Sequence, residues 1–269
     1  VKSFAVNMSS ESLSEIFLKN TFRECHKWAH YLSVYDKHLS CYRGKAPVVL
    51  EIGVREGGSL GLWRNYFGPE ATIIGVDIKQ SCEKLSGDGF DIYIGDQSDL
   101  AFLEHILNQH SCIDIVIDDG SHVAADMIKT FEFLYSRINS EAIYIVEDIV
   151  PSIAGSRDSD SPSFLDYANE LLLQLNLGFG EESIAQRADK HVAEAVAASG
   201  KDRSSVLVSS PSGLSSVTEF TASTESICFY PNMVVFEKAP QSARSAIKSS
   251  GMTPGQFMMY STYLLKRRG

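Results

Sequence analysis

The segment DIVIDDGSH, residues 114–122, runs an apolar strand pattern into two carboxylates, a glycine, a serine and an imidazole. YIVEDI, residues 144–149, repeats the pattern with Glu147 and Asp148. If these two strands are neighbours, Asp118, Asp119, Glu147 and Asp148 converge. Carboxylates brought together without partners repel, and some have raised pKa values. A hard divalent cation such as Mg2+, which takes oxygen ligands and keeps some of its water, removes that conflict. His122 follows Asp119 by three residues, at the predicted start of the next helix. A neutral imidazole there can take the proton of an attacking hydroxyl whose pKa the cation lowers. The plainer alternatives are solvated strand ends for the acids, a helix N-cap or a cofactor-loop residue for Asp118, and a first-turn helix residue for His122.

The elements that must position these groups follow from hydrophobic periodicity. VVLEIGV (48–54), TIIGVDI (72–78), FDIYIGD (90–96), IDIVIDDG (113–120) and AIYIVEDI (142–149) read as strands, apolar nearly throughout. Helical spacing separates several of them, at 60–67, 100–107 and 122–137. Strands alternating with helices imply an α/β fold, a parallel sheet covered on both faces. Residues 10–40 also read as helical and carry a dense polar-aromatic set: His26, Trp28, His30, Tyr31, Tyr35 and His38. Plain helix packing accounts for these as readily as substrate contact. SICFY and MVVFEKA flank Pro231–Asn232 and read as a hairpin. PSIAGSRDSDSPS (151–163) reads as a loop able to act as a lid, 164–177 and 181–199 as helices, and the serine-rich 204–226 has no clear assignment.

In open α/β sheets, ligands sit beyond the carboxyl ends of the strands, where all these polar clusters fall. EIGVREGGS joins the first strand to a helix through Gly53, Gly57 and Gly58, which let backbone approach a ligand closely. The spacing is not that of a GxGxxG dinucleotide loop, and a tight turn without a ligand is the alternative. Asp77 ends the second strand, where a carboxylate can accept both hydroxyls of a ribose, and Asp96 ends the third. An acid after each of three successive strands suits an adenosine-containing ligand.

In that order, EIGVREGGSLGLW, GVDI, GDQSD, IDIVIDDGSH and IVEDI resemble class I S-adenosylmethionine-dependent methyltransferases. More narrowly, they are similar to the metal-dependent sugar O-methyltransferases that act on deoxysugars of macrolides and related glycosides. KWAHYLSVYDKHL and SICFYPNMVVFEK resemble that family's segments before the first strand and at the closing hairpin. The resemblance implies a Rossmann-like, mostly parallel seven-stranded sheet, closed by an antiparallel hairpin, with helices on both faces. It implies S-adenosylmethionine and Mg2+ as cofactors, with Glu51, Gly53 and Ser59 along the methionine part, Asp77 on the ribose, and Asp96 and Gln97 near the adenine. Gly57 and Asp118 would complete that wall, and His30 and Tyr31 would cover the cofactor. Asp119, Glu147 and Asp148 would hold the metal, with His122 as the base for methyl transfer to a sugar hydroxyl.

The expected organisation is an N-terminal helical segment (1–45) covering the active site, a methyltransferase domain (46–240) and a C-terminal helical tail (241–269). Some relatives carry a large domain in place of the first segment, so the acceptor pocket or the oligomer is expected to differ. A net charge of −10 disfavours nucleic acid as partner. No long apolar run suggests a membrane span, and no basic-apolar leader is evident. Five scattered cysteines suit reduced thiols in a cytoplasmic protein rather than a disulfide framework. The expected partner is a small-molecule glycoside or diol, with a homo-oligomer possible. A catechol or small-diol O-methyltransferase, and a non-catalytic S-adenosylmethionine-binding partner or sensor, are the competing readings. A nicotinamide oxidoreductase fits the glycine spacing poorly.

Overall fold

The computed structural model describes residues 11–150, 162–176 and 219–239. Its strands are β1 (Val48–Ile52), β2 (Thr72–Asp77), β3 (Asp91–Ile94), β4 (Ile115–Asp118), β5 (Ile143–Glu147), β6 (Thr224–Tyr230) and β7 (Met233–Lys238). Among the described residues the helices are α1 (Leu13–Leu18), α2 (Ala29–Leu39), α3 (Gly58–Phe67), α4 (Leu100–Gln109), α5 (Ala124–Tyr135), α6 (Phe164–Asn176) and α7 (Glu219–Ser223). The seven strands form one sheet in the order β3-β2-β1-β4-β5-β7-β6. Strands β1 to β5 pair in parallel, while β7 lies antiparallel to both β5 and β6. The expected Rossmann-like sheet and its closing hairpin are therefore present.

Alternation along each strand divides the core in two. Val49, Ile73, Ile115, Ile117, Ile143 and Ile145 face one layer, packed with residues of α1, α2 and α3. Leu50, Ile74, Val116, Tyr144, Val146 and Phe236 face the other, packed with α4, α5 and α6. Both faces are covered, which is why the strands carry apolar residues in succession rather than in strict alternation with polar ones. The strand order reverses between β1 and β4, and the crevice beyond their carboxyl ends is the favoured ligand position for such a sheet.

The N-terminal segment departs from the expected continuous helix over 10–40. Helix α1 starts with a capping box, Ser12 with Glu15, and stops after one and a half turns. Asn20 ends it: its side-chain oxygen accepts from Phe22 N at 3.1 Å and its amide donates to Arg23 O at 2.9 Å. Residues 20–28 then run as an irregular strap over the start of α3. A Cβ on Gly58 would lie 2.0 Å from Glu24 O, and one on Gly61 2.4 Å from the Phe22 ring. Tertiary packing against two glycines, not local propensity, sets this path. Helix α2 is tied to the hairpin by His38, which bonds Glu237 at 2.7 Å and Tyr230 OH at 2.7 Å.

Of the remaining segments, 151–161, 177–218 and 240–269 lie outside the described residues. Most of the candidate lid, the alanine-rich helix over 181–199, most of the serine-rich stretch and the C-terminal tail fall there. The end of the serine-rich stretch forms α7 and the start of β6. Leu13, Tyr31 and Tyr35 of the N-terminal segment belong to the same core layer as the sheet.

Phe131 is the hub of the second layer. Its ring lies 4.5 Å from Phe236, 4.7 Å from Tyr135 and 5.0 Å from Tyr144. Phe131→Ala is expected to lower the unfolding free energy by about 3–5 kcal/mol, read as a lowered urea midpoint at unchanged slope.

Candidate active site

A cleft of about 410 Å³ opens beyond the carboxyl ends of the parallel strands. The loop after β1 forms its floor. Gly53 has φ +88, and a Cβ there would lie 2.0 Å from Asp119 O, so only glycine lets the β1 and β4 loops meet. Gly57, at φ +80, turns the chain into α3 from behind the cleft surface. Ser59 lines the cleft and donates to Glu51 Oε2 at 2.8 Å; Trp63 Nε1 donates to the same oxygen at 3.1 Å. Glu51 itself is fully buried in the wall, and burial pushes its carboxyl up to about 7. Its other oxygen, Oε1, has no hydrogen bond.

The opposite wall carries Asp77, Asp96 and Gln97. Two backbone amides, Arg55 N at 2.8 Å and Lys79 N at 2.9 Å, hold the Asp77 carboxylate in place at the end of β2. Asp96 accepts from Ser98 N at 2.8 Å, which lowers its pKa. Gln97 is a structural bridge as well as a lining residue. Its amide donates to Asp118 Oδ1 and Oδ2 at 3.1 and 3.2 Å, while its oxygen accepts from Ser121 N at 2.7 Å. Asp118 lies behind the surface at 1% exposure, and burial pushes its carboxyl up to about 7.

At the far end of the cleft stand Asp119, His122 and Asp148, each offering a ligand atom within 4.8 Å of the others. His122 Nε2 lies 3.8 Å from Asp119 Oδ1. The imidazole is not in the first turn of a helix as expected. Helix α5 begins at Ala124, and His122 precedes it with φ +57. Asp148 has φ +50 and Arg55 φ +45. Three non-glycine residues thus take left-handed backbone in the loops after β4, β5 and β1, a strained arrangement typical of functional sites.

The two acids ending β5 part company. Asp148 Oδ1 accepts from Asn232 Nδ2 at 2.6 Å, Tyr31 OH at 2.8 Å and Trp28 Nε1 at 3.2 Å. Glu147 turns inward at 1% exposure, where Tyr35 OH donates to Oε1 and Lys27 Nζ lies 3.0 and 2.9 Å from its two oxygens. Lys27 also donates to Asp119 Oδ2 at 2.7 Å. Burial works against the lysine's charge, but the carboxylates of Glu147, Asp119 and Glu51 more than offset it and hold the ammonium protonated. Burial raises the Glu147 carboxyl, and the ammonium pulls the other way.

His30 and Tyr31 are placed away from the cleft surface. His30 Nε2 lies 2.9 Å from Pro231 O, and Tyr31 OH donates to Asn232 O at 2.9 Å as well as to Asp148. Sequence reasoning missed Lys27 and Asn232. Pro231–Asn232 gave only a turn signal, and a single lysine in a supposed helix gave none.

No family model matches the chain. The solved mycinamycin-pathway methyltransferase MycE, in complex with Mg, SAH and mycinamycin VI, superposes with a TM-score of 0.65 at 23% identity, covering 94% of this chain and 60% of that one. The fold is that of a class I methyltransferase. The 8-demethyl-8-alpha-L-rhamnosyl tetracenomycin-C 2'-O-methyltransferase of Streptomyces olivaceus is 33% identical over 159 residues, 54% of this chain and 42% of the relative. Mycinamicin VI 2''-O-methyltransferase of Micromonospora griseorubida is 38% identical over 124 residues, 43% of this chain and 30% of the relative. The chain thus spans less than half of the curated relatives it matches. Among the described residues no helix is long and apolar enough to cross a membrane.

Gln97→Leu should leave Asp118 and Thr130 without a buried amide partner. The expected loss is about 1–3 kcal/mol of unfolding free energy, measured by urea denaturation.

Proposed function

We propose that the chain is an S-adenosylmethionine- and Mg2+-dependent O-methyltransferase that methylates a sugar hydroxyl of a glycosylated natural product. One observation carries this reading. The Asp119–His122–Asp148 group opens into the same cleft as Asp77 and the glycine loop. A nucleoside held at one end therefore faces a base and carboxylates at the other. The similarity to sugar O-methyltransferases of the tetracenomycin and mycinamicin pathways supports the acceptor class.

On this reading Asp77, held by two amides, accepts the ribose hydroxyls, and Asp96 and Gln97 border the adenine. Ser59, braced by Glu51, lies along the methionine part, with Gly53 and Gly57 shaping the loop beside it. Asp118 supports that wall through Gln97. His30 and Tyr31 act from behind, fixing the hairpin turn and Asp148.

Asp119, Glu147 and Asp148 suit a hard cation. All three offer carboxylate oxygens, and Asp119 and Glu147 already share one positive charge, the Lys27 ammonium. Bound there, Mg2+ would act as a Lewis acid on the acceptor oxygen. His122 takes the proton of the acceptor hydroxyl, its Nε2 lying 3.8 Å from Asp119 Oδ1. Held along Asp77 and Ser59, S-adenosylmethionine would supply the methyl group to the deprotonated oxygen and leave as S-adenosylhomocysteine. A hard ion with oxygen ligands leaves the imidazole free to act as base, whereas zinc would recruit it as a ligand.

Titration with S-adenosylhomocysteine should give saturable heat, and Asp77→Ala should weaken it at least about tenfold, the loss of a good charged hydrogen bond. No binding by the native protein would end the methyltransferase reading. With cofactor and a panel of rhamnosides, deoxysugar glycosides, catechols and small diols, turnover should favour the glycosides. Preference for a catechol would shift the acceptor class, and no turnover with any would favour a binding role. EDTA should abolish turnover and Mg2+ restore it. His122→Ala should lower kcat by about 10²–10⁴-fold with Mn2+ affinity little changed. A matching fall in Mn2+ affinity would make His122 a ligand instead.

A further inference from the structure

We propose that Lys27 is a two-position positioning residue. Its ammonium occupies the carboxylate site when no metal is bound, and it withdraws to Glu51 when a divalent cation enters. The inference rests on the metal site proposed above and concerns how this chain tunes it.

Three observations carry it. The Lys27 side chain is 4% exposed, so its charge has no solvent to retreat to and must be met by protein groups. It engages both oxygens of Glu147 and Oδ2 of Asp119, all within 3.0 Å. Glu147 therefore has no oxygen free of the ammonium. An ion coordinated at the usual ~2.0–2.1 Å from Glu147 would stand beside Nζ as a second, like charge in a buried space. One of the two must move.

The destination is already built. Glu51 Oε1 is buried, has no hydrogen bond, and lies 3.7 Å from Lys27 Nζ. Its sister oxygen is held by Ser59 and Trp63, so the carboxylate is oriented with the unused oxygen toward the lysine. A buried acceptor left without a donor is costly, and a shift of about one ångström by Nζ would satisfy it. Lys27 sits near the end of the strap formed by residues 20–28, and its long unbranched side chain can move Nζ between the two carboxylates by changing its terminal torsions. The ammonium thus competes with the metal for Asp119 and Glu147, and the competition weakens metal binding.

The test uses Mn2+ alone as probe, with affinity read by titration of the free-ion electron paramagnetic signal. Lys27→Met, a neutral side chain of similar length, should bind Mn2+ on the order of tenfold or more tighter than the native chain. Lys27→Arg, which keeps the charge, should stay near the native affinity. Equal or weaker binding by Lys27→Met overturns the proposal while leaving the metal reading intact. If neither native protein nor Lys27→Met binds Mn2+, the metal reading falls and this inference with it. Circular dichroism checks that the variants fold. A crystal structure of the native chain with Mn2+ gives a readout independent of any substitution. Nζ should lie within hydrogen-bond distance of Glu51 Oε1 and outside hydrogen-bond distance, beyond about 3.5 Å, from Asp119 Oδ2. An ion bound with Nζ still on both Asp119 and Glu147 overturns the proposal.

Discussion

The constraint on which the site depends is the burial of negative charge at the ends of three adjacent strands. Glu51 closes toward the end of β1, Asp119 follows β4, and Glu147 ends β5, in neighbouring positions of one parallel sheet. Glu51 and Glu147 are out of contact with water. Carboxylates so placed need a positive partner, and Lys27 reaches all three. The strap that delivers Lys27 is therefore part of the site and not a cover laid over it.

The two ends of the cleft are joined through backbone as much as through side chains. Gly53 brings the β1 loop against the carbonyl of Asp119, so the two regions share a packing contact with no slack. Gln97 joins β3 to β4 by bonding Asp118 and Ser121, which fixes the loop that carries Asp119 and His122.

Asp148 is fixed from the outside. Trp28 and Tyr31 of the N-terminal segment and Asn232 of the hairpin turn converge on one of its oxygens. Helix α2 and the hairpin are in turn pinned together by His38, Glu237 and Tyr230. The hairpin thus does two jobs. It supplies the last strands of the sheet, and its tip holds the Asp148 carboxylate at the mouth of the cleft, on left-handed backbone that aspartate tolerates better than most non-glycine residues.

Much of this was legible in the linear chain because it depends on local pattern. Apolar runs alternating with helical spacing specify parallel strands and their coverings, and carboxylates at successive strand ends mark where a ligand must lie. Asp77, Asp96, Asp119, His122 and Asp148 all reach the cleft for that reason. Which of two adjacent acids faces inward was not legible: Glu147 and Asp148 differ by one residue, and only the pleat of β5 and the left-handed turn after it send them to different partners. The path of the strap depends on packing against Gly58 and Gly61, and the use of Lys27 as a buried counterion depends on contacts across 92 to 120 residues, for which a short window of sequence holds no signal. Periodicity determined the sheet and the address of the site. The pairing of charges inside it was decided by the tertiary structure, because a buried ionic group is governed by whatever the fold brings within a few ångströms of it.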